Sequence, residues 1–68
     1  MAQYFVNRNK QANGDHEVHT SVCTYLPAPH NRLDLGYHIT CATAVRQARN
    51  VYPQSNGCKY CSTLCHTQ

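Results

Sequence analysis

The chain has 68 residues, a formal charge of +3 with its histidines neutral, and only 13% charged side chains. A domain of this length buries roughly 60% of its unfolded surface, a thin margin that small scaffolds usually reinforce with disulfides, a metal or a second subunit. The mild charge excess falls below the footprint of a dedicated nucleic-acid binder. No apolar run is long enough for a signal peptide or a membrane span, so a cytoplasmic protein with reduced thiols is expected.

Gln3 to Asn9, QYFVNRN, is rich in strand formers and places Tyr4 and Val6 on one face with Phe5 on the other. The Asn13-Gly14 pair that follows is a turn signal, and Gly14 accepts a positive φ at no steric cost. DHEVHTSVC then reads as the return strand of a hairpin. Val18 shares a face with His16 and Thr20, and Glu17 and His19 face the other way. YLPAPHN breaks the pattern, because Pro27 and Pro29 remove two backbone donors. RLDLGYH is the clearest strand, with Leu33, Leu35 and Tyr37 alternating with Arg32, Asp34 and Gly36.

A helix over 40–52 follows, with Thr40 as its N-cap and Pro53 as its stop. Cys41, Ala44, Val45, Ala48, Val51 and Tyr52 fall in one arc of its wheel, and the small Ala44 and Ala48 let it sit close on a sheet. The expected architecture is therefore α+β. A three-stranded antiparallel sheet (3–38) is covered by one packed helix (40–52), and a cysteine-rich C-terminal tail (53–68) folds back on that core.

The tail, NGCKYCSTLCHTQ, concentrates Cys58, Cys61 and Cys65 with His66. Cys58-x-x-Cys61 is the spacing of a metal knuckle, in which a tight turn aims two sulfurs at one point, and Gly57 permits the turn. If Ser62 starts a helical turn, Cys61 and Cys65 share its face, so three thiolates can converge on zinc. The fourth ligand is sought first in Cys41 at the helix start, then in Cys23, or in a histidine. His66 is less natural, pointing about 100° away from Cys65 on a helical turn. Three other uses stay open: thiols packed as small hydrophobes, a disulfide, or redox chemistry. Five cysteines cannot all pair within one chain, which counts against a disulfide framework.

Sharper chemistries fit poorly. A thioredoxin-like C-x-x-C opens a helix after a strand, whereas this one follows the helix. Haem attachment by C-x-x-C-H fails at Ser62. His16-Glu17-Val18-His19 lacks the H-E-x-x-H spacing of metalloproteases, and on a strand its two histidines point to opposite faces. That geometry predicts a solvated edge histidine, with the other contacting Thr20 or a tyrosine. A Cys23–His16 or Cys23–His19 couple is conceivable for a thiol hydrolase, but any chain rich in both residues offers one. Asp15, Glu17 and Asp34 form no acid/base couple. Arg46, Arg49 and Lys59 with Tyr52 and Tyr60 read as a solvated face rather than a nucleic-acid surface.

The runs GDHEVHTSVCTYLP, NRLDLGYHITCATAVRQARNVYP and SNGCKYCSTLCHT together resemble a family of small uncharacterised bacterial proteins with an NGCxYCxxxCH tail. That resemblance implies no particular activity. LGYHITCATAVRQA also resembles the strand-to-helix segment of YegP-like domains. Their β-β-β-α-β arrangement, completed by exchange of terminal strands, implies a homodimer. The resulting expectation is a small interaction or structural module with no catalytic role. Zinc, if present, is held by Cys58, Cys61, Cys65 and Cys41. A thiol-based redox protein or enzyme and a nucleic-acid-binding module are the competing classes.

Overall fold

The computed structural model describes residues 1–67. It contains four strands, β1 (Ala2–Asn7), β2 (His16–Thr20), β3 (Arg32–His38) and β4 (Ser55–Gly57), and one helix, α1 (Cys41–Ala48). Short 3₁₀ turns occupy Pro29–Asn31 and Thr63–Cys65. The α+β class holds, but the sheet is four-stranded and mixed, in the order β3-β1-β2-β4, rather than three-stranded and antiparallel. β1 pairs antiparallel with both β2 and β3, and β4 lies parallel to β2.

The hairpin joining β1 to β2 follows from its turn residues. Gly14 takes φ +91°, and the Asn13 side-chain oxygen accepts the Asp15 N–H at 2.9 Å. Asp15 is buried, and its carboxylate accepts from Gln54 Nε2 at 2.8 Å and, at longer range, from the side-chain amides of Asn13 and Asn56. These contacts fix the start of β2 against the segment leading into β4. The His16 N–H donates to the Gln54 carbonyl and the Cys58 N–H to the Val18 carbonyl, both at 2.9 Å.

Strand alternation places Tyr4, Val6, Val18 and Leu35 against Cys41, Ala44, Val45 and Ala48 of α1. The alanines at the contact let the helix approach closely, which a small core needs for dense packing. A register shift between Tyr4 and Phe5 sets Gly36 opposite Tyr4 and Asp34 opposite Phe5, so Leu35 is the extra residue on β3. Beyond this bulge the simple Leu33-Leu35-Tyr37 alternation fails. Leu35 is buried and Tyr37 is exposed.

Thr40 has the extended dihedrals of an N-cap, φ −135° and ψ 166°, but its side chain makes no capping bond. The helix ends at Ala48, a turn earlier than the sequence suggested. The N–H groups of Val51 and Tyr52 both converge on the Ala48 carbonyl, and Val51 is exposed. Pro53 disfavours helical backbone at Tyr52. The Tyr52 ring instead stacks on His16, with centroids 4.0 Å apart and planes 14° apart.

One disulfide joins Cys41, the first helical residue, to Cys65, with Cα atoms 6.2 Å apart. The expectation of reduced thiols is corrected at one pair: two of the five cysteines are bonded and three remain free. Gly57 makes this possible. A Cβ there would lie 2.6 Å from Cys65 Cβ and 2.8 Å from the Ser62 carbonyl oxygen, so only glycine lets the tail lie against β4. No helix among the described residues is long and apolar enough to cross a membrane.

Candidate metal centre

The three free cysteines and one histidine meet beside β2. The ligand atoms of His19, Cys23, Cys58 and Cys61 all lie within 4.8 Å of one another, a group that could hold a metal ion.

Each donor arrives by a separate structural cause. His19 stands opposite Phe5 in the β1–β2 ladder, and its alternation with Val18 turns it away from the helix. It is 1% exposed. After Thr20 the chain reverses, the Cys23 N–H donating to the Thr20 carbonyl at 3.1 Å, which returns Cys23 toward the strand end. β4 delivers Cys58, which is buried. The turn after it closes with Ser62 N–H donating to the Cys58 carbonyl at 2.9 Å, and this places Cys61 above β2.

The sulfurs are arranged as a donor set. Cys23 Sγ and Cys58 Sγ are 3.9 Å apart, far beyond a disulfide bond. Two sulfurs on a tetrahedral zinc, each with a bond of about 2.3 Å, stand about 3.8 Å apart. Backbone amides reach all three: Tyr60 N–H at Cys58 Sγ (3.4 Å), Thr20 N–H at Cys61 Sγ (3.3 Å) and the Tyr25 amide at Cys23. Such donors favour the thiolate over the thiol. Cys61 Sγ lies 4.0 Å from His19 Nδ1, and His19 Nε2 lies 3.6 Å from a Glu17 carboxylate oxygen.

The thiols titrate differently. Burial raises Cys61, but the Thr20 amide and hydrogen bonds involving Cys23, Ser62 and Cys58 outweigh it, leaving this thiol below its ordinary value. Burial pushes Cys23 up to about 12, with Cys61 and Cys58 adding to the rise against the Tyr25 amide. Burial also raises Cys58. His19 is lowered, by burial first and against the nearby Glu17 charge, so the neutral imidazole that a metal requires is the favoured form. One thiol held below its ordinary value beside two raised ones suits a site in which a cation displaces the remaining protons.

The expected ligand set is divided by the structure. Cys58 and Cys61 stand together in the group, whereas Cys65 and Cys41 are bonded to each other and lie outside it. The physical reason is the turn after Cys61. Thr63–Cys65 is a 3₁₀ turn, so Cys65 does not share a helical face with Cys61 and is carried over Gly57 toward the helix start. Cys23, second choice for the fourth position, is one of the four, and His19 is the donor that sequence reasoning passed over. The two histidines of DHEVH do point apart. His16 stacks on Tyr52 while His19 enters the cysteine group alone. His66 Nδ1 lies 3.0 Å from the Gly57 carbonyl oxygen, which accepts its N–H.

Four of the five residues considered for a nucleic-acid surface, all but the exposed Arg46, find separate partners. Arg49 Nε donates to the Ser55 carbonyl and Tyr52 stacks on His16. Tyr60 instead packs on Tyr25 at 4.7 Å, with Lys59 Nζ 5.9 Å from its ring. No family model, curated protein or solved structure matches this chain.

Proposed function

We propose that this chain is a small interaction or structural module stabilised by one zinc ion, held by His19, Cys23, Cys58 and Cys61. The observation that carries the reading is the convergence of four donors from three separate segments within 4.8 Å. Three sulfurs and one imidazole form a Cys₃His set, which suits zinc better than magnesium or calcium, whose preferred ligands are oxygens. Four protein donors complete a tetrahedral shell and leave no position for substrate water, so the site is structural rather than catalytic. Zinc here ties the loop after β2 to the tail, replacing part of the core that a chain this short lacks.

Exposed apolar side chains around the group support an interaction role. Val22, Tyr25 and Tyr60 line one depression that Cys61 also lines, and Ile39 and Leu64 line a second that Cys61 shares. A second copy of the chain is one occupant such a surface accepts, and the experiment below also reads the oligomeric state.

Native mass spectrometry of protein purified without chelator tests the reading. One zinc per chain is expected, lost on acid denaturation and absent in Cys58→Ser. A wild-type chain that stays metal-free after incubation with excess zinc sinks it. The Thr20 amide, which helps hold the Cys61 thiol below its ordinary value, favours a second reading, a reactive thiol. In that case the metal-free chain is the native form, and Cys61 alkylates rapidly even in the presence of zinc.

A further inference from the structure

Glu17 has no role in the zinc shell proposed above, yet it stands beside His19, which with Cys58 is one of the two most deeply buried donors of the group. Residues two apart on a strand project from the same face, so the Glu-x-His order on β2 places Glu17 alongside His19 as a direct consequence of pleating. The other two carboxylates are committed elsewhere. Asp15 receives the amides around Gln54, and Asp34 receives Gln3 Nε2 and the Gly36 N–H.

A neutral imidazole has one lone pair and one N–H on opposite sides of its ring. His19 offers Nδ1 to the sulfur side, 4.0 Å from Cys61, and Nε2 to Glu17 at 3.6 Å. The side chain is only 2% exposed, so solvent offers its N–H little. If Nδ1 supplies the lone pair, the buried Nε2–H needs an acceptor, and the Glu17 carboxylate is the charged acceptor facing it. The present separation is slightly outside hydrogen-bond reach. The Glu17 side chain is partly exposed and has rotatable bonds with which to close it.

Building on the proposed zinc site, we propose that Glu17 is the positioning residue of that site. It accepts the Nε2–H of His19, selects the tautomer that leaves Nδ1 free, and orients the ring toward the three sulfurs. Outer carboxylates of this kind fix ligand orientation and raise imidazole basicity. The metal contact is then made through Nδ1 and not Nε2, which is a chemical statement about one atom.

Two measurements on the full chain test it. In the zinc-loaded wild type, two-bond ¹H–¹⁵N correlations of the imidazole are expected to show His19 metallated at Nδ1 and protonated at Nε2. By chelator competition, Glu17→Ala is expected to bind zinc about 10- to 100-fold more weakly. Glu17→Gln, which retains an acceptor oxygen, is expected to fall between Glu17→Ala and wild type. Metallation of His19 at Nε2, or a Glu17→Ala affinity within about twofold of wild type, overturns the proposal and leaves zinc binding itself standing. Failure of the wild type to take up zinc removes the site and this role together. Should Glu17→Ala not fold, the correlation spectrum of the wild type decides alone.

Discussion

The short tail contributes to two clusters of cysteine, and they are built on different principles. Cys41 and Cys65 form a covalent link that needs no further partner and stands over the helix start. Cys23, Cys58 and Cys61 with His19 form an open set of donors, kept apart at about the spacing a tetrahedral ion imposes. Backbone decides which cysteine does which. Amide groups aim at Cys58 and Cys61, whereas Cys65 is carried by its 3₁₀ turn over Gly57 and away from them. Spacing in sequence grouped Cys65 with Cys58 and Cys61. Local turn geometry separates them.

The comparison breaks most visibly if each link is removed in turn. Stripping zinc with a strong chelator is expected to have the larger effect. Zinc at 1,000 times its dissociation constant contributes about 4 kcal/mol, on the order of 20 °C in the Tm of a domain this size. Thermal melts with excess zinc and with chelator measure it, and coincident curves would deny the donor set any share in stability.

Removing the disulfide through Cys41→Ser with Cys65→Ser is expected to cost somewhat less. Closing a loop between residues 24 apart gives about 3 to 4 kcal/mol by chain entropy. The denaturant midpoint of the double variant reads this loss, and its zinc stoichiometry should remain one per chain. Loss of zinc in the double variant would mean that the two clusters are not independent.

The smallest effect sharpens the difference inside the donor set. At pH 8 in the metal-free chain, Cys61 should be alkylated roughly tenfold or more faster than Cys23, because its thiolate is present at lower pH. Peptide mapping after a short iodoacetamide pulse shows the order. Its rate should rise with pH through the Cys61 pKa and then level, while Cys23, at about 12, stays slow throughout the range. Equal labelling of the two would show that the Thr20 amide does not favour the Cys61 thiolate.

Much of this architecture could be read from residue patterns. The alternation of Tyr4, Phe5 and Val6, the Asn13-Gly14 turn and the Ala44/Ala48 face are local signals, and local rules suffice for them. β4 carried no such signal. Ser55-Asn56-Gly57 has no strand propensity, and its pairing is imposed by β2 and by the contacts around Asp15. The centre was half legible. Cys58-x-x-Cys61 is a local spacing, but its partners His19 and Cys23 lie some forty positions away in sequence, joined to it by that unsignalled strand. His16 and His19 do face opposite ways on β2, and which partner each meets is set by chain segments distant in sequence: Tyr52 for His16, Cys58 and Cys61 for His19.

Gly57 sits between the two clusters, and the links on either side of it interleave. In chain order, His19 and Cys23 precede Cys41, which precedes Cys58 and Cys61, which precede Cys65. With zinc bound, the metal bridges the first pair to the third and the disulfide bridges the second to the last. A protease nick between Cys41 and Cys58 would then separate two fragments that remain fastened twice, and a nick between Cys23 and Cys41 would leave them fastened by the ion alone. The chain would behave as one particle after either cut, and a chelator would tell the two cuts apart.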